Sequence, residues 1–170
     1  ELDGIIVLDQ VGHLVTKRIL GRLKELAAEY KVFLQGSSRE RLAEFEGFDL
    51  VIPNDQEALG ALGKTAGELS AAELAGQLRQ LGSHEEVLLT LGPDGMAALS
   101  RDQAEAVLLP TFAREVVDVT GAGDAVSSVA LLGKLSGWDL DSTAWAASHS
   151  AAIAIAYTGT CLLYTSDAAD

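Results

Sequence analysis

Asp118-Val119-Thr120-Gly121-Ala122-Gly123-Asp124 stands between an apolar run and a helix-patterned one, and its reading decides how the chain is built. The run Glu115 to Val119 has the β-branched content of a buried strand. Ala125 onward repeats apolar residues at helical spacing through Val126, Val129, Ala130 and Leu132. The glycines therefore fall at a predicted strand-to-helix junction. The first backbone N–H groups of a helix have no internal partner, and the macrodipole adds partial positive charge, so an anion is attracted there. Gly121 and Gly123 let the backbone approach closely. Asp124 falls in the first turn, where the same field favours negative charge and a carboxylate can accept a proton from an attacking hydroxyl. Taken alone, Gly-Ala-Gly-Asp reads equally well as a tight connection followed by an ordinary first-turn acid.

Working outward, Ile5 to Leu8 reads as a buried strand and Leu14 to Tyr30 as an amphipathic helix. Lys31 to Leu34 reads as the next strand, Arg39 to Phe45 as a short helix, and Asp49 to Ile52 as a third strand. Asp55 to Leu62 follows as a helix behind an Asn54 cap. Ser70 caps a helix over Ala71 to Leu81, with Glu73 in its first turn, and Glu86 to Leu91 returns as a strand. This alternation predicts an α/β fold, a mostly parallel sheet covered by helices on both faces in three α/β/α layers of Rossmann-like type. Gly92-Pro93-Asp94-Gly95 then separates two apolar runs, Met96 to Leu99 and Ala106 to Leu109, which reads as an antiparallel edge. An Ala-rich helix, Ser142 to Tyr157, closes the pattern. One domain over 1–160 is expected. The segment Cys161 to Asp170 departs from the pattern, resembles translated adapter sequence, and is expected to be an artefactual tail.

Twelve basic residues against twenty-five acidic ones give a net charge of −13, with no basic stripe and no basic–aromatic interleaving. Nucleic acid is therefore not an expected partner. An anionic nucleotide is still compatible with that balance, because local amides and a metal would hold it rather than a global field. The single Cys161 precludes an internal disulfide framework and fits a reducing cytoplasm. No apolar run is long enough to span a bilayer, so no membrane partner is expected.

With its flanks, D-V-T-G-A-G-D-A resembles the C-terminal signature of the ribokinase-like (PfkB) carbohydrate kinases. The resemblance covers the C-terminal, nucleotide-binding half of such enzymes, and the fold it implies is a truncated ribokinase-like sheet. It implies that the amides of Gly121, Ala122 and Gly123 form an anion hole and that Asp124 is the catalytic base. Asn54-Asp55-Gln56-Glu57 resembles the family's Asn-x-x-Glu motif, whose Asn54 and Glu57 would organise Mg²⁺ largely through water. Read without the family, the same pair is a capping box, and both readings can hold at once. Thr90-Leu91-Gly92-Pro93-Asp94-Gly95 resembles a Thr-x-Gly-x-x-Gly element in which Thr90, Gly92 and Gly95 would face the nucleotide; the plain alternative is a turn. Asp118 and Thr120 would supply oxygens to a monovalent cation of the K⁺ type, completed by carbonyls near Thr158 to Thr160. Thr120 and His149 would also border the nucleotide, His149 beside the adenine.

Two further stretches bear on the acceptor. Ser37-Ser38-Arg39-Glu40 is similar to an Asp-Ser-Arg stretch of some carbohydrate kinases, with Ser37 where the Asp would stand. Asp9 is placed like residues near the acceptor sugar, although Gly12-His13 departs from the family's Lys-Gly. Gly63-Lys64-Thr65 mimics the end of a Walker A loop, but Ala58 replaces its first glycine, so a helix C-terminus is expected. Val126 occupies the third glycine position of a dinucleotide fingerprint, against a dehydrogenase. His13, His84 and His149 lack ligand spacing, and Trp138, Trp145 and Met96 read as packing residues. The function implied is ATP- and Mg²⁺-dependent phosphoryl transfer to a hydroxyl of a sugar, sugar phosphate or sugar derivative. A homodimer of the full-length protein is compatible with it. Kinases of nucleosides or of hydroxymethylpyrimidine share related turns, and a non-catalytic nucleotide-binding module is the alternative from another class.

Overall fold

A computed structural model describes residues 2–10 and 14–159. The expectations placed on Gly12-His13, Thr160 and the tail Cys161 to Asp170 lie outside the described residues. In chain order the elements are β1 (Gly4–Asp9), α1 (Lys17–Tyr30), β2 (Phe33–Ser38), a 3₁₀ turn (Leu42–Glu44), β3 (Leu50–Val51), α2 (Asp55–Leu62) and α3 (Ala71–Gly82). They continue with β4 (Glu86–Thr90), a second 3₁₀ turn (Gly92–Asp94), β5 (Met96–Leu99), β6 (Val107–Leu109), α4 (Ala122–Leu135) and α5 (Leu140–Ala154). The strands form one sheet in the order β1-β2-β3-β4-β5-β6. Pairing is parallel from β1 to β4 and antiparallel for β4–β5 and β5–β6. The expected mostly parallel sheet with an antiparallel edge is thus present.

Each sheet face carries its own apolar layer. One layer joins Val7, Leu34, Val51, Val87 and Leu89 to Leu20 and Ala27 of α1, Ala58 of α2, and Leu74, Ala75 and Leu78 of α3. The other joins Leu50, Leu88, Met96 and Ala98 to Val126 and Ala130 of α4 and to Leu140, Ala144 and Ala147 of α5. Successive strand residues supply opposite layers, as the alternation of side chains along a strand requires. The result is a three-layer α/β/α sandwich.

Local chemistry explains most element starts. Thr16, Asn54, Ser70 and Asp139 each accept a hydrogen bond from the backbone N–H three residues on, at the heads of α1, α2, α3 and α5. Gly63, in the left-handed region at φ 64°, ends α2, which makes Gly63-Lys64-Thr65 the expected helix terminus. Several boundaries shift: α1 starts at Lys17, β3 shortens to Leu50–Val51, and α5 runs Leu140–Ala154 where Ser142 to Tyr157 was expected. Lys31 caps α1 in the left-handed region, so β2 begins at Phe33 and runs on through the polar residues Gln35 to Ser38. Arg39 to Phe45 tightens into a single 3₁₀ turn, Leu42–Glu44.

The expected buried strand over Glu115 to Val119 is not formed. Val116, Val117 and Val119 are 61%, 52% and 69% exposed, and the amides of Val117 and Asp118 both donate to the Ile155 carbonyl, at 2.7 and 3.2 Å. The cause is the absence of a sheet edge alongside. β-Branched content favours a pleated surface only where a neighbouring strand supplies one, and here the segment lies against the end of α5.

Two contacts fix α4 over the sheet. Gln35, buried in β2, donates from Nε2 to the Ser127 carbonyl at 2.8 Å. At the far end Lys134 pairs with Glu86 at 2.9 Å, both side chains largely buried. The helix N-terminus is thereby held at the C-terminal ends of the parallel strands, where open α/β sheets bind ligands.

Candidate functional site

The head of α4 differs from the other helix starts. Its N-cap is Gly121, at φ 83°, ψ −5°, a conformation that a side chain would strain, and among the described residues no side chain caps the helix. The Ala122 amide donates to Val119 O at 3.3 Å and the Ala125 amide to Gly121 O at 2.9 Å. Among the described residues the amides of Gly123 and Asp124 have no carbonyl acceptor. Both residues line a cleft of about 1150 Å³. Open donors at a helix N-terminus make a ready anion site.

Into the same cleft the fold brings Asn54, Glu57, Thr90, Thr120, Gly121, Gly123 and Asp124, drawn from three separated stretches of sequence. The route is visible in the backbone. An isolated parallel bridge joins Asn54 to Thr90, with the Thr90 amide donating to Pro53 O at 2.9 Å, so the head of α2 sits beside the end of β4. Asn54 Oδ1 accepts from the Glu57 amide at 2.8 Å, and Glu57 Oε2 accepts from the Asn54 amide at 3.0 Å. The capping box is real, and both of its side chains also border the cleft. Burial raises the Glu57 pKa above its ordinary value, opposed by the hydrogen bond from the Asn54 amide and the nearby charge of Arg39.

Asp118 and Ala122 are not among the lining residues. Asp118 shapes the loop instead: Oδ1 accepts from the Thr120 amide at 2.9 Å and Oδ2 from the Gly159 amide at 3.0 Å. The bonds to Thr120, and then to Gly159, hold its carboxyl below the usual carboxylate range. This ties the start of the glycine turn to the segment after α5, the two places expected to supply oxygens to a monovalent cation. Gly92 and Gly95 also lie outside the lining and act through the turn. The Leu91 amide donates to Gly95 O at 2.8 Å, and a Cβ on Gly95 would run into the carbonyl oxygen of Leu109. His149 sits on α5, apart from the cleft, stacked on Phe112 at 3.8 Å and against Trp145 at 4.0 Å between ring centroids.

Asp9 does not reach the cleft. It is buried, with Oδ2 accepting from Ser38 Oγ and both carboxylate oxygens accepting from Arg41 Nη2, each at 2.8 Å. His84 is likewise buried, and desolvation pushes its pKa down to about 4 against a hydrogen bond to the Phe48 backbone. The remaining lining residues, Leu8, Gln10, Ser37, Arg39, Glu40, Ile52, Gln56, Val119 and Ser127, include all of the Ser37–Glu40 stretch except the buried Ser38. The stretch departs from the family's Asp-Ser-Arg pattern at Ser37. Its signal was position, since it follows directly on the C-terminal end of a parallel strand.

The model of the pfkB family of carbohydrate kinases matches residues 22–167. The chain belongs to this family. Among curated relatives of this pfkB-family chain, the bifunctional protein HldE of Citrifermentans bemidjiense is 32% identical over 165 residues, covering 94% of the chain and 33% of the relative. HldE of Aliivibrio fischeri is 35% identical over 136 residues, covering 80% and 28%. The chain thus spans about a third of the length of these relatives. Among solved structures, Escherichia coli phosphofructokinase-2 in complex with potassium matches with a TM-score of 0.82 at 17% identity, over 94% of the chain and 53% of that structure. Arabidopsis thaliana ribokinase complexed with ribose and ATP matches at 0.72 and 21%, over 91% and 50%. At these identities the structural likeness establishes the ribokinase-like fold. Among the described residues no helix is long and apolar enough to cross a membrane.

Proposed function

We propose that the protein carrying this chain transfers the γ-phosphoryl group of ATP to a hydroxyl of a sugar, sugar phosphate or sugar derivative, and that this chain forms the nucleotide side of the site. The observation that carries the reading is the uncapped, glycine-led start of α4, with Asp124 in its first turn, opening on the cleft that Asn54, Glu57 and Thr90 also line. Family membership supplies the reaction class. A monovalent-cation site of the K⁺ type at Asp118 and Thr120, and the cytoplasmic location expected from the sequence, belong to the same reading.

In this mechanism the Asp124 carboxylate accepts the proton of the acceptor hydroxyl, whose oxygen attacks the γ-phosphorus as the bond to the ADP oxygen breaks. The amides of Gly121 and Gly123 donate to the negative charge on the transferred group, whereas the Ala122 amide, expected in the same role, is taken by Val119 O. Because they are fixed by the helix start, they need no reorganisation at the moment of reaction. The oxygen donors of Asn54 and Glu57 suit a hard cation, and these residues would hold Mg²⁺ largely through water. Bound there, Mg²⁺ neutralises phosphate charge. Thr90 flanks the same end of the cleft, beside Asn54.

The test is acceptor-dependent ADP formation by the full-length protein over sugars and sugar phosphates from pentose to heptose. Asp124→Asn should lower kcat by roughly 10²- to 10⁴-fold, the usual contribution of a positioned base, while ATP binding persists. A variant within a few-fold of the parent defeats the assignment of Asp124. ATP binding with no acceptor-dependent ADP release across the panel would support the non-catalytic module instead.

A further inference from the structure

We propose that Arg39 is the anion-reading side chain of the cleft, its guanidinium gripping a phosphate or carboxylate carried by a bound substrate; this deepens the kinase reading above and rests on it. Among the described residues that line the cleft Arg39 is the single cation, set against the carboxylates of Glu40, Glu57 and Asp124. In a chain of net charge −13 a cation in that company is a specific placement. An anionic substrate entering past three carboxylates needs positive counterparts; the α4 amides, and Mg²⁺ if held at Asn54 and Glu57, serve the transferred phosphoryl, which leaves any further anionic group to a cationic side chain.

Arg39 is also available. Nearby cations are consumed by structural partners: Arg41 by Asp9 at 2.8 Å and by Glu44 at 3.6 Å, and Lys17 by Glu44 at 3.9 Å. Arg39 makes no ion pair or side-chain hydrogen bond among the described residues, although its charge acts on Glu57 across the cleft. Its five donors in a planar fork therefore remain free for a bidentate grip on phosphate or carboxylate.

The backbone beneath it is held firmly. The Arg39 amide donates to Asp9 O at 3.2 Å, Ser38 Oγ donates to Asp9 Oδ2 at 2.8 Å, and the Arg41 amide donates to Ser38 Oγ at 3.0 Å. Asp9 and Arg41, neither of which lines the cleft, thus act as the mount for a residue that does. A free guanidinium on a fixed base is an arrangement suited to recognition rather than to folding. The anion it reads comes either from the nucleotide's phosphates or from a charged group on the acceptor.

Calorimetry and steady-state kinetics on the full-length protein and its Arg39→Ala and Arg39→Lys variants separate these sources. Arg39→Ala should raise the Kd or KM of one anionic substrate roughly ten- to hundredfold, the worth of a charge-assisted bidentate bond. Arg39→Lys should recover only part, because a point charge lacks the fork. The melting midpoint should not move, because Arg39 is exposed. A rise confined to ATP assigns the nucleotide phosphates. A rise confined to phosphorylated or carboxylated sugars, with neutral sugars unaffected, assigns the acceptor. Values within twofold for ATP and for every anionic sugar tested overturn the proposal, even with turnover intact. If the parent forms no ADP with any acceptor while Arg39→Ala still weakens ATP binding, the kinase reading fails and the role of Arg39 stands.

Discussion

Asn54 offers a clean separation of folding from chemistry, because one side chain both caps α2 and borders the cleft. Asn54→Ala removes the acceptor that holds the Glu57 amide at 2.8 Å. Losing such a cap costs about 1 kcal/mol, which for a domain of this size lowers the melting midpoint by about 2–4 °C. Asn54→Ser keeps an oxygen able to accept the same bond, so its stability should stay within a few tenths of a kcal/mol of the parent. Serine lacks the carboxamide, however. If Asn54 also orders the water shell of Mg²⁺, Asn54→Ser should lose roughly 10- to 100-fold in activity or metal affinity, the usual effect of removing a group that orients a metal's ligands. The assay pairs thermal melts with ADP formation titrated against Mg²⁺ in the full-length protein. Full recovery of both stability and turnover in Asn54→Ser would refute the dual role and leave only a capping box. A stable Asn54→Ala with unchanged melting would refute the capping arithmetic.

Two further outcomes test the scaffold. Gly36→Ala in β2 would push a methyl into the Phe45 ring and to 2.9 Å from Phe48 Cδ1, both rings fully buried, so it should cost about 1–3 kcal/mol in urea melts; Gly36→Ala with Phe45→Leu should recover part of that, and a single variant within 0.5 kcal/mol of the parent, roughly the scatter of neutral surface changes, would contradict the packing. His84, with its pKa lowered to about 4, stays neutral in the fold between pH 6.5 and about 4 while the unfolded chain binds a proton. Stability is thus complete above about pH 6.5 and falls as pH drops towards 4, by at most about 3 kcal/mol. His84→Gln should flatten that window in pH-dependent denaturation; an unchanged slope would exclude His84 as its source.

Much of this architecture was legible along the chain. The bounds of α2 matched the sequence reading at Asp55–Leu62 and β5 matched at Met96–Leu99. Asn54 and Ser70 announced their helices because a cap acts within three or four residues. The glycine turn before Asp124 could be read for the same reason. Glu115 to Val119 misled because its strand character depended on a neighbour that the sheet does not provide. Asp9 looked like a substrate residue from its place at the end of β1, yet Arg41, distant in sequence, draws it into the interior.

Periodicity, caps and turn glycines are short-range properties, and through them the sequence by itself determined the α/β alternation, the helix starts and the family to which the chain belongs. Membership of the cleft is long-range. The parallel order of β1 to β4, the reach of Gln35 to Ser127 and the bridge between Asn54 and Thr90 bring separate segments to one end of the sheet. Only the folded chain therefore decided that, among the described residues, Arg39 has no ion-pair partner while Arg41 is paired with the buried Asp9: an arginine's spacing says nothing of which carboxylate the fold will bring within reach of it.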